Sequence, residues 1–145
     1  MEVRDIMTRP AIAVGQDEPV TAAVRLLRRY NVGALPVCDA AGRLRGMVTD
    51  RDIVLRCLGG ENDPARTRVG EIMSRGIVTA APGDSLAQAA RTMAEDRVRR
   101  LPVTENGRLV GMVTLCDLAR REDCRREWTQ AMQSISANVS IRQKD

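Results

Sequence analysis

Histidine and phenylalanine are absent from the 145 residues, and the aromatic complement is Tyr30 and Trp128 alone. Without His, the Ser-His-Asp and Cys-His systems have no general base in this chain, and His-ligated metals have no ligand. Two aromatics also leave little for single-strand binding by base stacking. Lys144 is the only lysine among 23 basic residues, so the formal net charge of +4 rests almost wholly on Arg. The planar Arg fork suits phosphate or carboxylate, which points to anionic partners without selecting one. No run approaches the roughly 18 apolar residues of a membrane span, and no basic-then-apolar leader opens the chain. A cytoplasmic location and no membrane partner are therefore expected. The four cysteines, Cys38, Cys57, Cys116 and Cys124, show no C-x-x-C spacing. That disfavours a zinc site or a redox pair and leaves reduced, buried or half-buried thiols. No nucleophile elbow and no Gly-rich P-loop occur, so no enzymatic activity is expected.

What the chain does contain, it contains twice. Val3-Arg4-Asp5-Ile6-Met7-Thr8-Arg9 returns as Val69-Gly70-Glu71-Ile72-Met73-Ser74-Arg75, and Leu35-Pro36-Val37 returns as Leu101-Pro102-Val103, both 66 residues on. Gly42-Arg43-Leu44-Arg45-Gly46-Met47-Val48-Thr49 returns as Gly107-Arg108-Leu109-Val110-Gly111-Met112-Val113-Thr114, 65 residues on. One residue is lost in the intervening turn. A chain of this length fits one compact domain, and each repeat alone is near the lower limit for a stable core. The repeats are therefore expected to pack with pseudo-two-fold symmetry, and the groove between such halves is a natural ligand site.

Each repeat reads as β-α-β-β-α, an α/β (α+β) fold class. Ala11-Ile12-Ala13-Val14 is a short apolar run, and the acidic-then-Pro19 segment suits a helix start. Val20, Ala23, Val24 and Leu27 recur at i, i+3, i+4 and i+7, as do Leu86, Ala89, Ala90 and Met93, which marks one apolar face in each helix. Leu35–Cys38 and Leu44–Val48 flank a Gly-containing turn, and Asn106-Gly107 sharpens the second hairpin because both residues tolerate positive φ. A closing helix follows each hairpin, over 52–56 and 117–121. The expected organisation is repeat 1 at 1–58, a linker at 59–68 containing the Gly59–Pro64 breaker cluster, repeat 2 at 69–121, and a C-terminal segment at 122–145. Within that segment, 125–136 reads as a helix with Trp128, Met132 and Ile135 on one face, for packing or dimer contact rather than partner recruitment, and 140–145 as frayed.

The chemistry-bearing motif is G-h-h-T-x-x-D, present as Gly46-Met47-Val48-Thr49-Asp50-Arg51-Asp52 and as Gly111-Met112-Val113-Thr114-Leu115-Cys116-Asp117. A Thr hydroxyl and a carboxylate three residues later can converge on vicinal hydroxyls such as those of a ribose. The alternative role for Asp52 and Asp117 is helix capping. Two copies at equivalent places favour a site.

The D-I-M and E-I-M leaders, L-P-V and G-M-V-T-x-x-D together resemble the paired cystathionine-β-synthase (CBS) domain, or Bateman module, over residues 1 to about 121. The Thr49–Val54 stretch is similar to stand-alone bacterial CBS pairs. The resemblance implies a regulatory module that binds AMP, ADP, ATP or another adenosyl compound between the repeats. No cofactor is obligatory. It further implies a homodimer formed through the helices and action in trans on an effector protein. By family geometry, one site combines Thr49, Arg51 and Asp52 with Ile77, Val78, Val98, Arg99, Arg100 and Pro102. The other combines Thr114 and Asp117 with Ala11, Ile12, Val32, Gly33, Ala34 and Pro36. Apolar members sandwich the base, and Arg99-Arg100 give the first site two guanidiniums for a phosphate where the second has Gly33-Ala34. The alternative is a basic nucleic-acid-binding or protein-interaction module with no small ligand. Nucleic-acid binding would need Arg clustered on one face and strongly salt-dependent affinity, neither of which a sequence reveals.

Overall fold

The computed structural model describes residues 1–121 and 125–144. Strand β1 (Val14–Gly15) is followed by α1 (Val20–Tyr30), β2 (Ala34–Cys38), β3 (Leu44–Thr49) and α2 (Asp50–Asp52), which continues as a π-helix over Ile53–Leu58. Helix α3 (Val69–Ile72), α4 (Leu86–Asp96), β4 (Arg100–Glu105), β5 (Arg108–Thr114), α5 (Leu115–Ala119) and α6 (Arg125–Lys144) complete the order. The mixed α/β architecture with duplicated hairpins is the one the periodicities imply.

Two compact units emerge, and they are not the sequence repeats. The first comprises Met1–Pro10, Val78–Glu105 and Val110–Asp145; the second comprises Ala11–Ile77 and Asn106–Leu109. Each Ile-Met leader thus belongs to the unit built on the other repeat. In the second unit β1 pairs parallel with β2, Val14 facing Val37, and β2 pairs antiparallel with β3, Ala34 facing Thr49. Only Val14 and Gly15 join the ladder; Ala11–Ala13, expected within the strand, do not. Strands β4 and β5 form the other hairpin, mostly in the first unit with its 106–109 tip grouped with the second, and the parallel partner is reduced to a bridge from Ala80 to Val103. Asn106 and Gly107 take φ of 54° and 79°, the turn conformation their side chains permit.

Each unit has its own apolar core. Val14, Val20, Ala23, Leu27, Leu35, Val37, Val48 and Val69 are among those buried in the second, and Val3, Leu86, Ala90, Met93, Leu101, Val103, Val113 and Leu118 in the first. Helix α1 opens after Pro19 and closes on Asn31 at φ 51°, while α4 is capped by Ser85, whose Oγ accepts from Gln88 N. Val24, expected on the buried face, is 40% exposed. In the first unit α6 lies against α4 and α5, burying Ala131 and Ile135 with Trp128 and Met132 partly buried beside them. The helix runs through residues 140–144, which the sequence reading left frayed.

The segment 59–68 is bound back onto the second unit. Val20 N donates to Thr67 O at 2.8 Å, Thr21 N to Pro64 O at 3.2 Å, and Thr67 is buried. Cys57 is buried, Cys38 half-buried and Cys116 exposed, which corrects the expectation that the thiols are covered; Cys124 lies outside the described residues. Burial, with the neighbouring Asp39 charge, pushes the Cys38 thiol above its usual range. Among the described residues no helix is long and apolar enough to cross a membrane.

Candidate functional site

Both G-h-h-T-x-x-D motifs fold into the same device. Thr49 Oγ1 accepts from Asp52 N at 3.0 Å while Asp52 Oδ2 accepts from Thr49 N at 3.0 Å. Thr114 and Asp117 repeat this reciprocal capping at 3.2 and 2.8 Å. Each pair satisfies two backbone donors at a helix start and locks its hydroxyl and carboxylate side by side. The glycine that opens each motif has a steric cause. A Cβ on Gly46 would strike Ser74 O, and one on Gly111 would come within 2.9 Å of Thr8 O. Those carbonyls belong to the chain just past the two Ile-Met leaders, where Ser74 pairs with Met47 and Thr8 with Met112.

The other expected site residues divide by unit. Thr49, Arg51, Asp52, Ile77, Ala11, Ile12, Val32, Gly33, Ala34 and Pro36 belong to the second unit; Val78, Val98, Arg99, Arg100, Pro102, Thr114 and Asp117 belong to the first. Each site expected from the family geometry draws residues from both units, whereas within a unit each motif sits beside its own repeat's strand. Asp50 N donates to Gly33 O at 3.0 Å, and Leu115 N donates to Arg99 O at 2.8 Å. The Thr114-Asp117 box is therefore next to the Arg99-Arg100 pair. The Thr49-Asp52 box is next to Gly33, with the Asp50 carboxylate 3.5 Å from where a Gly33 Cβ would be. Pro36 and Pro102 are buried in their strands, Val32, Val78, Val98 and Ile12 are partly buried against the cores, and Arg51 and Arg99 are exposed.

The two carboxylates differ in surroundings. Asp52 is 7% exposed. Ser74 Oγ lies 3.4 Å from both its oxygens, and Arg56 Nε 3.7 Å from Oδ1. Arg56 also donates through Nη1 to Ile72 O and Met73 O at 3.2 and 3.3 Å. Asp117 is only half-buried and lines a pocket with Asp5, Ile6, Arg120 and Arg121. Among the described residues neither Arg120 nor Arg121 has an ion-pair partner. Sequence reasoning passed over Asp5, Ile6, Arg56, Ser74, Arg120 and Arg121. The signal for two of them was present: Arg56 and Arg121 each follow the motif Asp by four residues, one helical turn.

The CBS domain family matches residues 3–59 and 69–123. The chain is a member of that family, with two copies, and CBS pairs are regulatory modules. It is 42% identical over 117 residues to Hypoxic response protein 1 of Mycobacterium tuberculosis, covering 81% of this chain and 82% of that one. The CBS domain pair of protein MJ0100, solved in complex with 5′-methylthioadenosine and S-adenosyl-L-methionine, superposes with a TM-score of 0.71 at 29% identity. That match covers 83% of this chain and 94% of the other. CBSX2 in complex with AMP gives a TM-score of 0.71 at 30% identity, covering 82% and 93%.

Proposed function

We propose that this protein senses an adenine nucleotide or related adenosyl ligand and relays its occupancy in trans to a separate effector protein. The observation that carries the reading is the Thr114-Asp117 box. Its hydroxyl and carboxylate are held together, Oδ2 of Asp117 is spent on Thr114 N, and the half-buried carboxylate opens on a pocket. A ribose diol donating to Asp117 and exchanging a hydrogen bond with Thr114 matches that chemistry. Val78, Val98 and Pro102 supply apolar surface for the base, and Arg99 and Arg100 supply charge for a phosphate. Thr49, Asp52 and Arg51, with Ile12, Val32, Ala34, Pro36 and Ile77, are the corresponding positions of the second unit. The AMP, 5′-methylthioadenosine and S-adenosylmethionine held by the two similar CBS pairs support this ligand class. A homodimer formed through the helices accompanies the reading, supported by the exposed apolar side chains of Val54, Leu55 and Leu58.

Calorimetric titration with AMP, ADP, ATP, 5′-methylthioadenosine and S-adenosylmethionine is the direct test. Asp117→Asn is expected to weaken the preferred ligand about ten- to a hundredfold, the effect of losing one or two charge-assisted hydrogen bonds. Replacing both Arg99 and Arg100 by Ala should weaken AMP far more than adenosine. Wild-type affinity in a folded Asp117→Asn protein would reduce the box to a helix cap.

A further inference from the structure

The repeat offset turns the two units into a controlled comparison. Asp52, Arg56, Ile72, Met73 and Ser74 of the second unit correspond to Asp117, Arg121, Ile6, Met7 and Thr8 of the first. Around Asp52 this set is closed. The Arg56 guanidinium bonds the carbonyls of Ile72 and Met73 and stands 3.7 Å from Asp52 Oδ1, and the Ser74 hydroxyl faces both carboxylate oxygens. Around Asp117 the same set is open. Arg121 makes no such bonds among the described residues, and Asp117, Ile6 and Arg121 line a pocket instead.

We propose that Arg56 is a built-in occupant of the second unit's site, so that the chain takes one adenosyl ligand, at Asp117, rather than two. This rests on the adenosyl-sensing reading above. The physical reason is competition for the same acceptors. A ribose diol needs a carboxylate with free lone pairs, and at Asp52 those are turned toward Thr49 N, Ser74 Oγ and the Arg56 guanidinium. A ligand entering there must first displace a guanidinium held by two carbonyls and an ion pair. The charges agree. The second unit sets Asp50 beside Gly33, which repels a phosphate, whereas the first sets Arg99 in the matching place beside the buried Leu115. Arg120 and Arg121, which have no ion-pair partner among the described residues, add further donors at the open pocket.

Equilibrium dialysis and calorimetry with AMP read this out as a stoichiometry. The wild-type chain should bind one AMP, Asp117→Asn should weaken it about ten- to a hundredfold, and Asp52→Asn should keep it. Arg56→Ala should raise the count from one to two per chain. Arg56→Gln, which keeps an amide donor for the Ile72 carbonyl, serves if the alanine variant fails to fold by circular dichroism. Two AMP per wild-type chain, or one AMP lost on Asp52→Asn and kept on Asp117→Asn, would overturn the proposal while leaving the adenosyl reading intact. A count still at one in a folded Arg56 variant would also overturn it. No binding of AMP or S-adenosylmethionine to the wild type or any variant would overturn the adenosyl reading and this inference with it.

Discussion

Helices α1 and α4 occupy equivalent places in their repeats and are both 11 residues long, with the same i, i+3, i+4, i+7 apolar pattern. Three of the four matched positions are buried in both. The fourth separates them: Val24 is 40% exposed, whereas Ala90 is fully buried. The cause lies outside either repeat. Helix α6 packs on α4 and brings Ala131 and Ile135 into the first unit's core, while in the second unit α1 packs mainly on the strands β1 and β2. A small residue stands where a helix approaches closely and a larger one at the more exposed place. The apolar stripe on a helix therefore reports that something is to be covered, and the partner that covers it comes from elsewhere in the chain.

The strongest way to break this comparison is to remove α6's grip. Ile135 is 6% exposed, and Ile135→Ala should cost about 2–5 kcal/mol in urea unfolding. A loss within experimental error would mean that α6 does not build the first unit's core. Next in size is Gly46→Ala, whose Cβ would meet the Ser74 carbonyl, a rigid neighbour. Overpacking of this kind should cost about 1–3 kcal/mol. Its partner variant Gly111→Ala, facing Met7 Sδ at 2.8 Å and Thr8 O at 2.9 Å, should cost less than Gly46→Ala, because a Met side chain yields part of the space.

The two hairpins sharpen the contrast in a different currency. The β4–β5 turn relies on the backbone freedom of Asn106-Gly107, but the β2–β3 turn is held by a carboxylate. Asp39 Oδ1 accepts from Ala41 N and Arg43 N at 2.9 and 3.0 Å, and Oδ2 from Arg45 Nε at 3.0 Å. The Arg43 backbone bond, helped by the Arg45 guanidinium and the Ala41 N–H, outweighs desolvation and holds the Asp39 carboxyl below its usual range. A depressed folded-state value means stabilisation that is present above the unfolded carboxyl range and lost as pH falls through the folded value. Asp39→Asn should therefore be less stable than wild type at neutral pH, and the gap should close on acidification. A gap independent of pH would assign the effect to shape rather than charge. The smallest effect is expected at Val24→Ser, within about 0.5 kcal/mol, as befits an exposed position. A larger loss in the isolated monomer would show that Val24 is covered after all.

Much of the fold was legible beforehand, because it depends on local rules. The period of Val20, Ala23 and Leu27, the Asn106-Gly107 turn and the matched Thr-x-x-Asp boxes each follow from residues a few positions apart. The pairing of leaders with units was not legible, since Val3 and Val69 are the same residue in the same local context and either core accepts a valine. Nor was the difference between the two carboxylates. Asp52 and Asp117 share a motif, yet Ser74 reaches one from 22 residues away while a pocket opens beside the other.

From the sequence alone came the duplication, the β-α-β-β-α order, the turn chemistry and the Thr-Asp pairs, because hydrogen-bonding periods and φ preferences act within a turn or a strand. Tertiary structure alone decided which leader joins which unit, which helix is covered, and which carboxylate lines a pocket. Those outcomes depend on which distant groups reach a given place first, and two near-identical repeats leave that choice to packing.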